Sequence, residues 1–184
     1  ASDPGAALGS GLAPPRRVAP GGSVGTVGRL RAAGRLRTLE WVGLPDGIET
    51  DAALERLAGL TALRNLDLTQ STVTDAGLAH LAGMKVLRRL VLWDTAVGDA
   101  GLAHLGALGA LERLHLGGTR VTDAGLASLP PLPALESLIL FETAVEGPGL
   151  RGLAASPGLK ELLLRDTRVD DASLVHLKDL RRLE

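Results

Sequence analysis

The sequence predicts an α/β solenoid, a right-handed horseshoe arc with a parallel sheet on its concave face and short helices on its convex face. Three observations carry this prediction. Units of 24 residues follow one another without insertion. Each unit opens with apolar residues at positions 1, 4 and 6, the alternation of a strand, and continues with apolar positions 16, 19 and 22, the spacing of a helix. The six units begin at Leu39, Leu63, Leu87, Leu111, Leu135 and Leu159.

The N-terminal part of the chain differs from these units. Residues 1–23 are rich in Gly, Pro and Ala and offer little to bury, so we predict a flexible tail there. The repeat domain is predicted to span residues 24–184. Thr26 to Leu36 matches the helical half of a unit, which predicts a partial N-terminal repeat. The unit from Leu39 is irregular at Pro45 and Gly47, as terminal repeats often are.

Two polar columns follow the strand of each unit. A hydroxyl residue at position 9 is expected to satisfy backbone groups of the turn. An aspartate at position 13 is expected to cap its own helix and to favour the positive helix end. In the unit from Leu135, Pro148 and nearby prolines predict more turn than helix. The columns are Ser71, Thr95, Thr119, Thr143 and Thr167, and Asp51, Asp75, Asp99, Asp123 and Asp171.

The repeated phrase LxxLxL, as in Leu87 to Leu92 and Leu111 to Leu116, resembles the leucine-rich repeat family. The phrase VTDAGL, at Val73 to Leu78 and Val121 to Leu126, is similar to repeats of the cysteine-containing class in F-box substrate receptors and to many bacterial repeat proteins. The chain departs from that class at position 9, where Ser or Thr replaces Asn or Cys. The resemblance implies an α/β leucine-rich repeat solenoid with a protein-binding surface.

Composition favours a protein without catalytic residues, metal or cofactor. The formal net charge of -1 gives no global electrostatic reason to bind nucleic acid or an anionic membrane. The sequence has no cysteine, so it cannot form disulfides or a thiolate metal site, and a cytoplasmic setting is favoured. No apolar run reaches the roughly 20 residues that span a bilayer. No phosphate-loop, nucleophile-elbow or zinc-protease motif occurs, and we predict that the chain is not an enzyme.

The candidate binding surface consists of the strand side chains that point away from the core, at positions 3, 5 and 7 of each unit. All three aromatic residues of the chain fall on these positions. Aromatic residues are common in strands for other reasons, but apolar groups gathered on one exposed face more often mark an interaction site. Acidic residues at position 8 lie beside this face. The predicted partner-binding residues are Trp41, Arg89, Val91, Trp93, Arg113, His115, Ile139, Phe141, Asp94 and Glu142.

The centre of this surface is predicted to be an open slot. Trp93 and Phe141 lie two units apart, so twice the strand spacing places them about 10 Å from each other. Gly117 between them leaves space for an apolar side chain of a partner. Arg89 and Arg113 on one flank are expected to pair with carboxylates of that partner.

Two classes of function are consistent with this surface. The first is a protein-interaction module, alone or as the substrate-recognition arm of a larger protein. The second is a glycan binder, or a hydrolase, suggested by the carboxylates at position 8. Glu142 and Asp166 should be about 5 Å apart, near the separation of a retaining carboxylate pair, but an open sheet provides no cleft around them. We predict protein binding without catalysis, and self-association through the unpaired C-terminal strand edge as a further option.

Overall fold

A computed structural model describes residues 17–18, 39–43 and 51–184 of the chain. The partial N-terminal repeat predicted within 24–38 lies outside the described residues, as do the irregular positions Pro45 and Gly47. The structure therefore describes the five units from Leu63 to the C-terminal residue in full, part of the unit from Leu39, and the sheet that joins them.

The described strands form one seven-stranded parallel sheet in chain order. Every pairing joins residues 24 apart, for example Leu66 with Leu90, so the predicted repeat length is the register of the sheet. The first strand, Arg17–Val18, pairs with the second in the same register and lies within residues 1–23, for which the sequence predicts a flexible tail. The strands are β1 (Arg17–Val18), β2 (Trp41–Gly43), β3 (Asn65–Asp67), β4 (Arg89–Val91), β5 (Arg113–His115), β6 (Ser137–Ile139) and β7 (Glu161–Leu163).

Short helices between the strands form the second layer. The described α-helices are Asp51–Leu57, Asp75–Leu78, Asp99–Leu102 and Asp123–Ala127. The described 3-10 helices are Ala79–Gly83, Ala103–Ala107, Pro148–Ala155 and Asp171–Leu177. The unit from Leu135, where prolines predict less helix, adopts only the tighter 3-10 form, with Pro148 at its start.

Aliphatic side chains fill the space between the two layers. The central residues of β3 to β6 are at most 1% exposed, and they are Leu66, Leu90, Leu114 and Leu138. Each such side chain stabilises the fold by roughly 1.5–3 kcal/mol through burial. In the last unit Leu162 is only partly buried, because it has a packing neighbour on one side. The core is therefore a continuous column that weakens toward β7.

The backbone after the last helix already follows the strand register. Glu184 N donates to Lys160 O at 2.9 Å, as Lys160 N donates to Glu136 O at 2.8 Å one unit earlier. This edge therefore presents backbone groups in the geometry of a further strand. Self-association through the edge stays a prediction.

The hydroxyl column closes the turn after the strand, as predicted. Thr95 Oγ1 donates to Leu92 O at 2.8 Å, and the next three threonines of the column make the same bond at 2.6 Å. The hydroxyl of Ser71 is buried and has no hydrogen-bond partner among the described residues. The column therefore satisfies a turn carbonyl in four of its five units.

The aspartates at position 13 do not cap their own helices, and that prediction is wrong. Asp99 accepts hydrogen bonds from Thr122 N and Thr122 Oγ1 of the next unit, both at 2.7 Å. In the last unit it is Asp170 that caps the helix, by accepting from Ser173 N at 2.9 Å. The aspartates therefore connect units instead of closing a single helix. The same bridge to the following unit is made by Asp51, Asp75 and Asp123.

The glycine of the repeated DAGL phrase provides the space for this bridge. A Cβ atom at Gly101 would lie 2.5 Å from Asp75 Oδ1, and one at Gly125 would lie 2.3 Å from Asp99 Oδ1. Both distances are far below van der Waals contact. Aspartate in one unit and glycine in the next are therefore a matched pair, which explains why both recur with the repeat.

Asp123 should make the folded state sensitive to acid. Burial acts to raise the pKa of its carboxyl group, but hydrogen bonds from the amides of Gly149, Glu146 and Gly147 outweigh burial, so the pKa lies below its ordinary value of 3.8. A lowered folded-state pKa gives stability that is present above pH 3.8 and is lost as pH falls through the folded pKa. In urea unfolding above pH 3.8, the parent chain should have a larger free energy of unfolding than Asp123→Asn, and this difference should shrink as pH falls through the folded pKa. An advantage that does not change with pH contradicts this assignment.

Candidate functional site

The concave face is the side of the sheet that carries positions 3, 5 and 7. In β3 and β5 the central residue is buried while both flanking residues are partly or fully exposed. The helices pack on the other side, where the leucine column already fills the core. Side chains on the concave face therefore point away from the leucine core, although Val91 and Ser137 are buried there.

A shallow depression of about 170 Å³ lies at the centre of this face. Five of the predicted partner-binding residues line it, so the structure brings half of that set together. Ser137 and Glu161 also line it and were not among the predicted residues. Both occupy position 3 of their units, as Arg89 and Arg113 do, and this shared position could have predicted them. The depression is lined by Arg89, Leu90, Val91, Arg113, Leu114, His115, Ser137, Ile139 and Glu161.

The rim of the depression carries two neighbouring guanidinium groups. Arg89 and Arg113 are register partners on β4 and β5, and neither forms an ion pair with another described residue. On the far side Ser137 Oγ donates to Glu161 Oε2 at 2.6 Å. We call this the basic depression, defined by Arg89, Arg113 and the apolar floor between them.

The aromatic residues do not flank an open slot, and the slot prediction is wrong. The ring centroids of Trp93 and Phe141 are 6.4 Å apart, well below the expected separation. His115 lies between them, 5.1 Å from Phe141 at an interplanar angle of 81° and 6.4 Å from Trp93. The two contacts of Phe141 are edge-to-face, a favoured geometry of aromatic pairs, and the contact of Trp93 with His115 is tilted at 43°. We call Trp93, His115 and Phe141 the aromatic cluster.

Gly117 lies beneath the aromatic cluster. A Cβ atom there would be 2.8 Å from Phe141 Cε2 and 2.9 Å from His115 Cε1. Because Gly117 has no side chain, the rings of Phe141 and His115 can extend over this strand and contact each other. The sequence placed Gly117 correctly between the aromatic residues, but the space it leaves is filled by the rings of the chain itself.

The acidic column at position 8 has a backbone explanation. Gln70, Asp94, Glu142 and Asp166 all have φ between 54° and 56°, and Gly118 in the same column has φ of 66°. Aspartate and glycine tolerate this left-handed conformation better than most residues. The column therefore marks a left-handed turn that the five units from Leu63 to Leu159 share, and Gly118 within it was the signal that could have shown this.

Two of these carboxylates have local partners. Asp94 Oδ2 accepts from Gln70 Nε2 at 3.4 Å, and Asp166 pairs with Arg165 at 2.8 Å. Asp94 and Glu142 are exposed beside the aromatic cluster, as predicted from the sequence. Trp41, the remaining predicted residue, is half-buried on β2 and does not line the basic depression.

His115 should titrate below the ordinary histidine pKa of 6.5. Burial lowers the pKa most and the charge of Arg89 lowers it further, while Asp67 and a backbone hydrogen bond act in the opposite direction. Gly117 N also donates to His115 Nδ1 at 3.2 Å, which the neutral ring accepts. Stability from this neutral histidine is present above pH 6.5 and is lost as pH falls toward the folded pKa.

An NMR titration of the His115 ring protons measures this directly. We expect a midpoint below pH 6.5, and His115→Gln should remove the matching pH dependence of unfolding. A midpoint at or above 6.5 would show that the ring is not buried against Arg89 as described.

The described part of the chain holds no group of three or more His, Cys, Asp or Glu side chains that could bind a metal ion. None of its helices is both long and apolar enough to cross a membrane.

Solved structures that resemble this one include internalins from Listeria monocytogenes. One internalin (inlF) superimposes with a TM-score of 0.65 at 20% sequence identity, over 82% of this chain and 41% of its own. An internalin C2 (inlC2) gives a TM-score of 0.63 at 26% identity, over 79% of this chain and 59% of its own. This chain thus spans less than two thirds of either neighbour. No protein-family model and no curated protein matches the sequence.

Internalins are leucine-rich repeat proteins, and they share with this chain a parallel sheet built from consecutive repeat units. The chain is an α/β leucine-rich repeat solenoid, as its sequence predicts. The finer similarity to the cysteine-containing class of F-box receptors stays a prediction.

Proposed function

We propose that this chain is a non-enzymatic protein-interaction module that binds a partner protein on its concave face. One observation carries the proposal: the aromatic cluster lies on the outer side of a sheet whose inner side is already filled by leucine. Trp93 is 37% exposed there. Exposed tryptophan beside arginine is the composition of interface hot spots.

The size of the basic depression supports a protein partner. Its volume of about 170 Å³ is below the roughly 300–1,000 Å³ of sites that enclose small molecules. It is also shallow, so it does not surround a ligand. A depression of this size suits one side chain of a larger partner whose remaining contacts spread over the sheet.

The likeness to internalins supports the same proposal at the level of architecture. Repeat solenoids present an extended concave surface formed by many units, and such surfaces serve recognition. The structural neighbours have this architecture over most of the present chain. The proposal for the partner and for the residues that contact it rests on the residues of this chain alone.

Glycan binding is the alternative. It was suggested by the carboxylates at position 8, but these residues lie in a left-handed turn, which favours Asp94 and Asp166 there without a ligand. Protein binding is the stronger proposal, and a glycan array provides the direct comparison.

The test is a selection from a displayed library of random peptides, run beside a glycan array. The concave variant is Ile139→Lys, which introduces a charge between the basic depression and the aromatic cluster. Because Ile139 is half-buried on the outer side of β6, the lysine can extend into solvent without disturbing the core. The matched control is His104→Lys, which introduces the same side chain at an exposed position of the helical layer.

We expect the selected peptides to bind the parent chain and His104→Lys equally, and to bind Ile139→Lys at least tenfold more weakly. Thermal unfolding should show both variants folded. Equal binding to both variants would place recognition elsewhere. Selective binding to the glycan array with no peptide enriched would overturn the protein-partner proposal.

A further inference from the structure

We infer that the partner presents an aspartate or glutamate carboxylate to Arg89 and Arg113, next to an apolar side chain that enters the basic depression. This inference rests on the proposed function and identifies the chemistry of its partner. The charges on the rim, their available partners and the floor between them support this chemistry.

The two guanidinium groups repel each other in the free protein. Arg89 and Arg113 occupy matching positions on adjacent strands, which are about 4.8 Å apart. Like charges in such cross-strand pairs destabilise a sheet. A carboxylate held by both groups would remove that cost and gain charge-assisted hydrogen bonds.

Basic residues directly before two of the strands, Arg88 before β4 and Lys160 before β7, do not share this arrangement. Arg88 pairs with Glu112, and Lys160 pairs with Glu136 at 2.7 Å, in each case across neighbouring units. The sequence thus supplies a carboxylate to the basic residue one position before Arg89 but not to Arg89 itself. The pair Arg89 and Arg113 is left for an external anion.

Two carboxylates near the site, Glu161 and Asp67, already accept hydrogen bonds from other residues, and Glu136, whose charge also acts on Arg113, is paired with Lys160. Glu161 accepts from Ser137 Oγ at 2.6 Å. Asp67 Oδ1 accepts from Thr69 Oγ1 at 2.7 Å and from Thr69 N at 3.1 Å. Both carboxylates flank the site without forming an ion pair with either arginine. They limit the local positive charge but do not occupy the two guanidinium groups.

This balance of charge favours a carboxylate over a phosphate. Glu161 and Asp67 repel the charge of about -1.5 to -2 on a phosphorylated side chain more strongly than they repel the single charge of a carboxylate. The floor of the depression includes two aliphatic side chains, Val91, which is only 4% exposed, and Ile139, with His115 on the strand between them. An acidic residue next to an aliphatic or aromatic one therefore matches both the rim and the floor.

The experiment uses three peptide libraries of one length with amidated C-termini, so that a carboxylate can come only from a side chain. One library pairs Asp or Glu with apolar residues. The second carries Asn or Gln at the same positions, and the third carries phosphoserine. Each is screened against the full chain and against Arg89→Gln/Arg113→Gln, with Arg120→Gln/Arg151→Gln as the control that removes two exposed arginines elsewhere.

We expect binders mainly from the acidic library, and for each of them a loss of roughly tenfold in affinity on the Arg89→Gln/Arg113→Gln variant. The control variant should bind as the parent does, and removing the arginine pair should not lower the unfolding temperature. Equal yields from the amide library, stronger binding by phosphopeptides, or an unchanged affinity of the variant would each overturn the inference. Binders that are insensitive to Ile139→Lys, or no binders at all, would instead reject the proposed function on which it rests.

Discussion

Gly101→Ala should destabilise the fold by about 1–3 kcal/mol, although alanine favours helices over glycine by about 1 kcal/mol. The added methyl group would lie 2.5 Å from Asp75 Oδ1, and 3.1 Å from Leu78 Cδ1 and Val97 Cγ1. The carboxylate cannot withdraw freely, because Gly98 N donates to it at 2.6 Å. Steric conflict with the bridge between units therefore outweighs the gain in helix propensity.

Asp75→Ala tests this cause. In that background the carboxylate is absent, so the further change Gly101→Ala should become neutral or stabilising by urea unfolding. Gly109→Ala is the control, since a Cβ atom there has no neighbour within 4 Å. If Gly101→Ala costs the same with and without Asp75, the aspartate and glycine are not a matched pair.

The sheet and its register could be predicted because they depend on a local pattern that recurs. Leu66, Leu90 and Leu114 pair across strands at the same 24-residue step that the sequence repeats. The role of Asp99 could not be read in the same way, because its hydrogen-bond partner Thr122 lies 23 residues away in another unit. A local rule for helix capping assigned it to the nearer helix.

The concave face was predictable for a similar reason, since alternation along a strand decides which side chains point outward. The conformation of the side chains on it was not. Strand spacing alone separates Trp93 from Phe141 by two steps, but both rings lean inward over Gly117 until their centroids are 6.4 Å apart. The contact between the two rings depends on side-chain torsions and on the position of the His115 ring. The repeat period of the sequence does not predict either of these.

The contact between the rings changes what substitution should do to binding. If Trp93 and Phe141 were separate walls of a slot, each would contribute to affinity independently. In the observed cluster each ring holds the other in place, directly and through His115. Truncating either one therefore removes part of the contribution of its neighbour, and coupled hot-spot residues are not additive.

Trp93→Ala and Phe141→Ala should each weaken a peptide selected on the parent chain by about 2 kcal/mol, roughly thirtyfold in Kd. The double variant should lose less than the sum of the two, by roughly 0.5 kcal/mol or more. Isothermal titration of the same peptide against all four proteins measures this, with His104→Ala as the control on the helical layer. Additive losses would mean that the rings act separately, and losses equal to that of His104→Ala would exclude the aromatic cluster from the interface.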